Sequence, residues 1–173
     1  MEPGGFIHTG DPFAVPEARR SPVRRLRGRL AAPVTLWTAP GPAGLTVSST
    51  LVADGDPGRL LGLVDEESDL WTALRRAERF AVCPLRWADR QLADRFAGLL
   101  PAPGGPFREG EWRETGYGPV PAGAGTWAGC RLDGARPMGW GLLVEATIEQ
   151  IEINEDDTPP LIRYRGRYRG VDQ

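Results

Sequence analysis

The sequence predicts a mainly β protein, a small closed or nearly closed barrel carrying two or three short helices. Three observations point there. Short runs of β-branched and aromatic residues recur along the chain, and they are separated by turns drawn from 23 glycines and 17 prolines in 173 residues. The stretch 44–52 alternates large apolar residues with small hydroxyls, which is the period of a half-buried strand. Only a few segments show helical spacing, and all of them are short.

The first dozen residues are rich in Gly and Pro and read as a leader, so residues 1–25 are set apart from a single domain over 26–173. A short helix is expected over 19–30, with Pro22 in its first turn. Ala32 to Thr38 reads as a strand closed by the turn Ala39-Pro40-Gly41-Pro42. In the next strand Leu45, Val47 and Leu51 should share one face, with Thr46, Ser48 and Thr50 on the other. Arg59 to Val64 is an apolar run after the turn 54–58, consistent with a buried strand. Ser68 heads a helix as its N-cap, with apolar residues at three- and four-residue spacing through Ala77. Phe80 to Leu85 is a strand interrupted by Pro84, and a further helix runs from about Asp89 to Ala97 with Leu92 and Phe96 inward. Residues 99–124 read as a loop anchored by Trp112. Strands over 126–132, 141–153 and 161–164 complete the set, the long one with a bulge because its apolar residues lose strict alternation. No internal repeat is present.

Composition excludes several chemistries. All 21 basic residues are arginine. A Walker A loop and a Schiff-base mechanism both need a lysine, so neither is available. The single histidine, His8, stands in the leader, and with Cys83 and Cys130 it shows no zinc-site spacing and no catalytic triad context. A net charge of −2 and a pI near 5.5 argue against nucleic-acid binding. Six arginines crowd residues 19–29, and they are read as a solvated leader in preference to an anion-binding arm. Two cysteines make no disulfide framework, no apolar run reaches membrane-spanning length, and the start lacks the features of a signal peptide. A soluble, reducing, cytoplasmic setting is the expectation.

From the residues alone, the strongest candidate site is Gly44 to Ser49. Its glycine permits close backbone approach, and Thr46, Ser48 and Ser49 offer hydroxyls to a phosphate or to the polar edge of a planar heterocycle. Trp37, Trp71, Trp112 and Trp127 read as packing residues, and packing is also favoured for Trp140 over covering a ring. Cys83 reads as a small buried residue rather than a reactive thiol. The alternating Arg163, Arg165 and Arg167 place three cations on one strand face.

Taken in order, these segments resemble the flavin reductase-like family of FMN-binding split barrels. Pro33-Val34-Thr35 looks like the family's entry strand, and Gly44-Leu45-Thr46-Val47-Ser48-Ser49 is similar to its flavin-binding G-h-T-x-S-S strand, h being apolar. Arg59 to Val64 followed by Ser68, then Phe80 to Leu85 with Gln91-Leu92-Ala93 and Phe96-Ala97, match its next blocks. Gly118-Pro119-Val120, Cys130 and Pro160 to Tyr168 match its later landmarks, so the resemblance spans roughly residues 26 to 169. It implies a homodimeric FMN-binding split β-barrel that reduces FMN, or FAD, with NADH or NADPH by hydride transfer to flavin N5 and supplies a partner monooxygenase. Carried over by position, Thr46, Val47, Ser48, Ser49, Arg59, Ser68 and Cys83 would bind the flavin, Ser68 beside a phosphate at a helix N-terminus. No metal, nucleic acid or membrane is implied. The chain departs from the family where Gly139-Trp140-Gly141 replaces a G-D-H or G-T-H motif, so the histidine position is Gly141. Cys83 stands where asparagine is usual, and Asp65-Glu66-Glu67 precedes Ser68. The alternative implied by Gly141 is a flavin-binding barrel without nicotinamide-dependent activity.

Overall fold

The structure, a computed structural model, describes residues 19–155 and 158–171. His8 and most of the expected leader lie outside the described residues. The elements are α1 (Pro22–Arg29), β1 (Ala32–Pro33), β2 (Thr35–Ala39), β3 (Ala43–Val47), β4 (Leu51–Ala53), β5 (Arg59–Val64), α2 (Asp69–Ala77), β6 (Arg79–Pro84), α3 (Arg90–Phe96), β7 (Trp112–Arg113), β8 (Val120–Pro121), β9 (Trp127–Met138), β10 (Gly141–Glu152), β11 (Ile162–Tyr164) and β12 (Arg167–Arg169). A single turn of 3-10 helix, Trp87–Asp89, precedes α3.

Seven strands form one antiparallel sheet in the order β3-β2-β6-β9-β10-β5-β4. Its two edge strands, β3 and β4, are consecutive in the chain. The link Ser48-Ser49-Thr50 therefore carries the backbone from one edge of the curled sheet to the other, and it forms the seam at which the barrel comes together. The expected single strand over 44–52 is thus two strands with a corner between them. A small strand pair, β7 with β8, lies inside the segment expected to be loop, and β1-β11-β12 form a third sheet. The expected bulge in the long β10 strand is present, with register shifts against β9 between Glu145 and Ala146 and between Ile148 and Gln150.

Two apolar cores lie on opposite faces of β2 and β6. Inside the barrel, Trp37, Val47, Leu60, Val64, Phe80, Val82 and Val144 pack around Leu70 and Leu74 of α2. Trp37 stacks on Phe80 with ring centroids 4.8 Å apart and planes at 24°. Outside it, Leu36, Ala81, Cys83, Ala93, Phe96, Trp127 and Leu161 form the second core beneath α3. Phe96 meets Phe107 and Trp112 edge-on at centroid distances of 4.8 and 5.6 Å. Trp112 anchors this segment as expected. Sequence periodicity finds these elements because each presents one face to one core.

Local signals set the ends. The Ser68 hydroxyl accepts from the Trp71 amide at 3.1 Å to cap α2, and Glu78 in the left-handed region ends the helix at φ 56°. The basic 163–167 stretch is not one strand face: Arg165 and Gly166 form a turn at φ 51° and 77°, which puts Arg163 and Arg167 on separate strands. Against this hairpin rests α1, where the Arg165 amide donates to the Gly28 carbonyl at 2.6 Å. The windows 19–31 and 158–171, joined by that contact, hold ten of the 21 arginines and none of the 23 acidic residues.

Candidate flavin site at the barrel seam

The seam is closed by side chains. Ser49 lies opposite Leu63 of β5, where the β4–β5 ladder has ended. Its hydroxyl accepts from the Leu63 amide at 2.8 Å and donates to the Leu63 carbonyl at 3.0 Å, replacing a backbone rung. Thr50 turns inward: its hydroxyl lies 2.8 Å from that of Thr35 and accepts from the Trp37 indole at 3.1 Å. Thr35 in turn donates to the Val47 carbonyl at 2.7 Å. A buried polar knot of this kind is stable because each group in it finds a partner.

These bonds divide the hydroxyls that the sequence grouped together. Thr46, Ser48 and Thr50 do not share one face, because the corner after Val47 interrupts the alternation. Thr46 pairs with Leu36 and Leu36 with Cys83, so Thr46 and Cys83 lie on one rung facing α3. The Thr46 hydroxyl donates to the Ala93 carbonyl at 2.7 Å. Ser48, half-buried at the seam, is the one serine of the motif whose side chain has no hydrogen-bond partner among the described residues.

The remaining candidates separate along β5. Val64, at the strand's end, is followed by Asp65 and the Ser68 cap, on the side where Ser49 grips Leu63. Arg59 stands at the other end, where it donates to the Ala146 carbonyl at 3.2 Å and pairs with Asp133 at 3.2 Å. A six-residue strand spans about 17 Å, so Arg59 and Ser49 are not parts of one small site. The Ser68 hydroxyl is occupied by its cap and by a bond to the Asp65 carbonyl at 2.6 Å.

Cys83 is buried, and burial, reinforced by Asp89, pushes its thiol up to about 12. Its burial agrees with the small packed residue read from the sequence. It forms part of the wall of a cavity of about 160 Å3 at the end of β6, between Leu85, Thr126, Asn154 and Pro160. Among the described residues no three His, Cys, Asp or Glu side chains are grouped to hold a metal. Among the described residues no helix is long and apolar enough to cross a membrane.

Beside the seam runs an apolar wall that the helices leave open. Leu51, Leu61, Leu63 and Leu143 occupy adjacent rungs on the outer face of β4, β5 and β10. Leu51 and Leu63 are exposed, while α2 packs on β2, β3 and β6 and α3 on β2 and β3. At the same barrel end β10 begins at Gly141, where a Cβ would come within 3.0 Å of the Val64 carbonyl. Trp140 precedes it, wholly exposed rather than packed. Its exposure is invisible to composition or periodicity.

The family model of the flavin reductase like domain matches residues 27–172. The chain belongs to this family. An NADH:FMN oxidoreductase of Rhodococcus erythropolis is 30% identical over 139 residues, which cover 78% of this chain and 71% of that one. A nitrilotriacetate monooxygenase component B homologue from Mycobacterium thermoresistibile superposes with a TM-score of 0.77 at 26% identity, covering 87% of this chain and 85% of that one. The NADH:FAD oxidoreductase of Streptomyces globisporus gives a TM-score of 0.79 at 22% identity, covering 92% and 96% of the two chains. The mainly β flavin reductase fold, expected as a split barrel, is thus shared with solved members of the family.

Proposed function

We propose that this flavin reductase-like protein reduces FMN, or FAD, with NADH or NADPH and passes the reduced flavin to a partner monooxygenase. One observation carries the reading: the chain crosses from one sheet edge to the other at Ser48-Ser49-Thr50, leaving an unpartnered Ser48 hydroxyl beside an uncovered leucine wall. A flavin presents a polar pyrimidine edge and an apolar dimethylbenzene edge, and the two surfaces match those halves. Bound flavin supplies the redox chemistry, accepting hydride from a nicotinamide.

In this reading Ser48 and the backbone around Val47 and Ser49 meet the flavin's polar atoms. Ser49 acts mainly by fixing the corner, and Thr46 by tying β3 to α3. Ser68 offers only the α2 amino end, and Asp65, Glu66 and Glu67 beside it oppose an anion. Cys83 and Arg59 are left out of the site. A second copy of the chain covers the Leu51, Leu61, Leu63 and Leu143 wall, making a homodimer with flavin at its boundary. Two buried free thiols suit a reducing, cytoplasmic setting.

The test is turnover. Purified protein with added FMN should oxidise NADH or NADPH in proportion to flavin, and sedimentation should show a dimer. No flavin-dependent oxidation of either nucleotide overturns the reductase reading. A second reading, a flavin carrier without that activity, is favoured by the Gly141 backbone standing where the family's histidine is expected. It requires bound flavin that dithionite reduces and NADH leaves oxidised.

A further inference from the structure

The helix α1 is attached to the body of the protein by its smallest residue. The Gly28 carbonyl accepts the Arg165 amide at 2.6 Å, and a Cβ at Gly28 would lie 3.7 Å from the Arg165 Cα. Helical residues advance by about 100° each, so Val23, Leu26 and Leu30 gather on the side opposite Gly28. They are exposed at 76%, 63% and 64% of their reference surfaces, and no residue of α1 is buried. The helix thus carries its apolar stripe away from both cores, the reverse of what a packed surface helix does.

Positive charge surrounds the stripe. Arg27 flanks it on one side and Arg29 on the other, while Arg24 and Arg25 lie toward the side of Gly28, where the β11–β12 hairpin adds Arg163, Arg165, Arg167 and Arg169. The remaining eleven arginines share the rest of the chain with all 23 acidic residues. The excess positive charge of this net-acidic protein is therefore gathered here, and it turns this face toward an anionic surface.

The two features together select the partner. A nucleic acid would engage the arginines and leave the three apolar side chains in water. A protein would need a groove of matching shape for a raised ridge, whereas a bilayer surface deforms around one. Anionic lipid answers both features, because its headgroups pair with the guanidiniums and the acyl boundary takes up the stripe. Attachment of this kind needs two signals, and α1 with the hairpin supplies an apolar one and a basic one.

We propose that α1 and the β11–β12 hairpin form a peripheral docking surface for a membrane leaflet rich in anionic lipid. The helix lies in the interface with Val23, Leu26 and Leu30 inserted. This attachment is reversible and does not depend on the redox chemistry given under Proposed function.

The full chain is sedimented with vesicles of phosphatidylcholine alone, or of phosphatidylcholine with about one-third phosphatidylglycerol, at near-physiological salt. Binding is expected to the anionic vesicles only, and it falls as salt is raised. Replacing Arg24, Arg25 and Arg27 with Gln lowers it about a hundredfold, and Leu26→Ser with Leu30→Ser lowers it about tenfold. All five side chains are exposed, so both variants keep the thermal midpoint of the wild type. Absence of binding by the wild-type chain, equal binding to neutral vesicles, or undiminished binding by the leucine variant overturns the proposal. Two further outcomes also overturn it. Poly-glutamate bound as tightly as the anionic vesicles assigns the surface to an acidic protein, and a lower sedimentation coefficient of the leucine variant without lipid assigns the stripe to a second copy of the chain.

Discussion

The Trp37 indole lies directly on the backbone of Gly62: a Cβ at Gly62 would stand 2.5 Å from the ring. Trp37 crosses the barrel from β2 to β5, and the missing side chain makes room for it. Gly62→Ala should therefore overpack a rigid core and destabilise the fold by about 1–3 kcal/mol. Urea denaturation of the variant measures the cost, and an unchanged midpoint would contradict this packing.

Thr46 and Ser48 are two residues apart, but their hydroxyls do different work. Ser48→Ala should weaken FMN binding by about 1 kcal/mol with little change in stability. Thr46→Ala removes the bond to Ala93 and should lower stability by about the same amount while FMN affinity holds. Titration of FMN and thermal melts of both variants separate the two effects. The reverse pattern would place the flavin on the α3 face.

Both thiols are shielded. Burial pushes Cys83 and Cys130 up to about 12 from an ordinary value of 9.0. A thiol with a raised pKa contributes its full stabilisation below the unfolded value, and the contribution is lost as pH climbs through the folded one. Stability should accordingly decline between pH 9 and about 12, less so in a Cys83→Ala, Cys130→Ala double variant. Melts across that range test this, and iodoacetamide at pH 8 should label the thiols only after unfolding.

Charge on the surface is segregated. With a net charge of −2 the protein should pass a cation exchanger at pH 7, but the arginine cluster of α1 and the β11–β12 hairpin is large enough to retain it at low salt. Replacing Arg24, Arg25 and Arg27 with Gln should abolish retention. Flow-through of the wild-type protein would show that the cluster is masked.

The sequence displays much of this architecture because most elements have one buried face. The Ser68 cap, the apolar spacing of α2 and the bulge in β10 are local signals, and the order of motifs identifies the family. The corner at Ser48 is hidden because Ser and Thr suit a strand face and a bend equally well, so alternation runs on past the strand's end. The 163–167 stretch misleads in the opposite way: Arg at every second position imitates a strand, although Gly166 marks the turn. Which hydroxyl is left over at the seam depends on Ala93, Leu63 and Thr35, partners brought in from distant parts of the chain.

The closure of the barrel through Ser49 gives one amide an unusual status. The Leu63 N–H is bonded to a side chain that a single substitution removes, whereas amides inside a ladder depend on a whole neighbouring strand. Deuterium uptake at Leu63 thus reads the opening of the barrel edge separately from global unfolding. Ser49→Ala should accelerate exchange there while the Trp37 amide, in the middle of β2, stays protected; flavin that holds the corner in place should slow it.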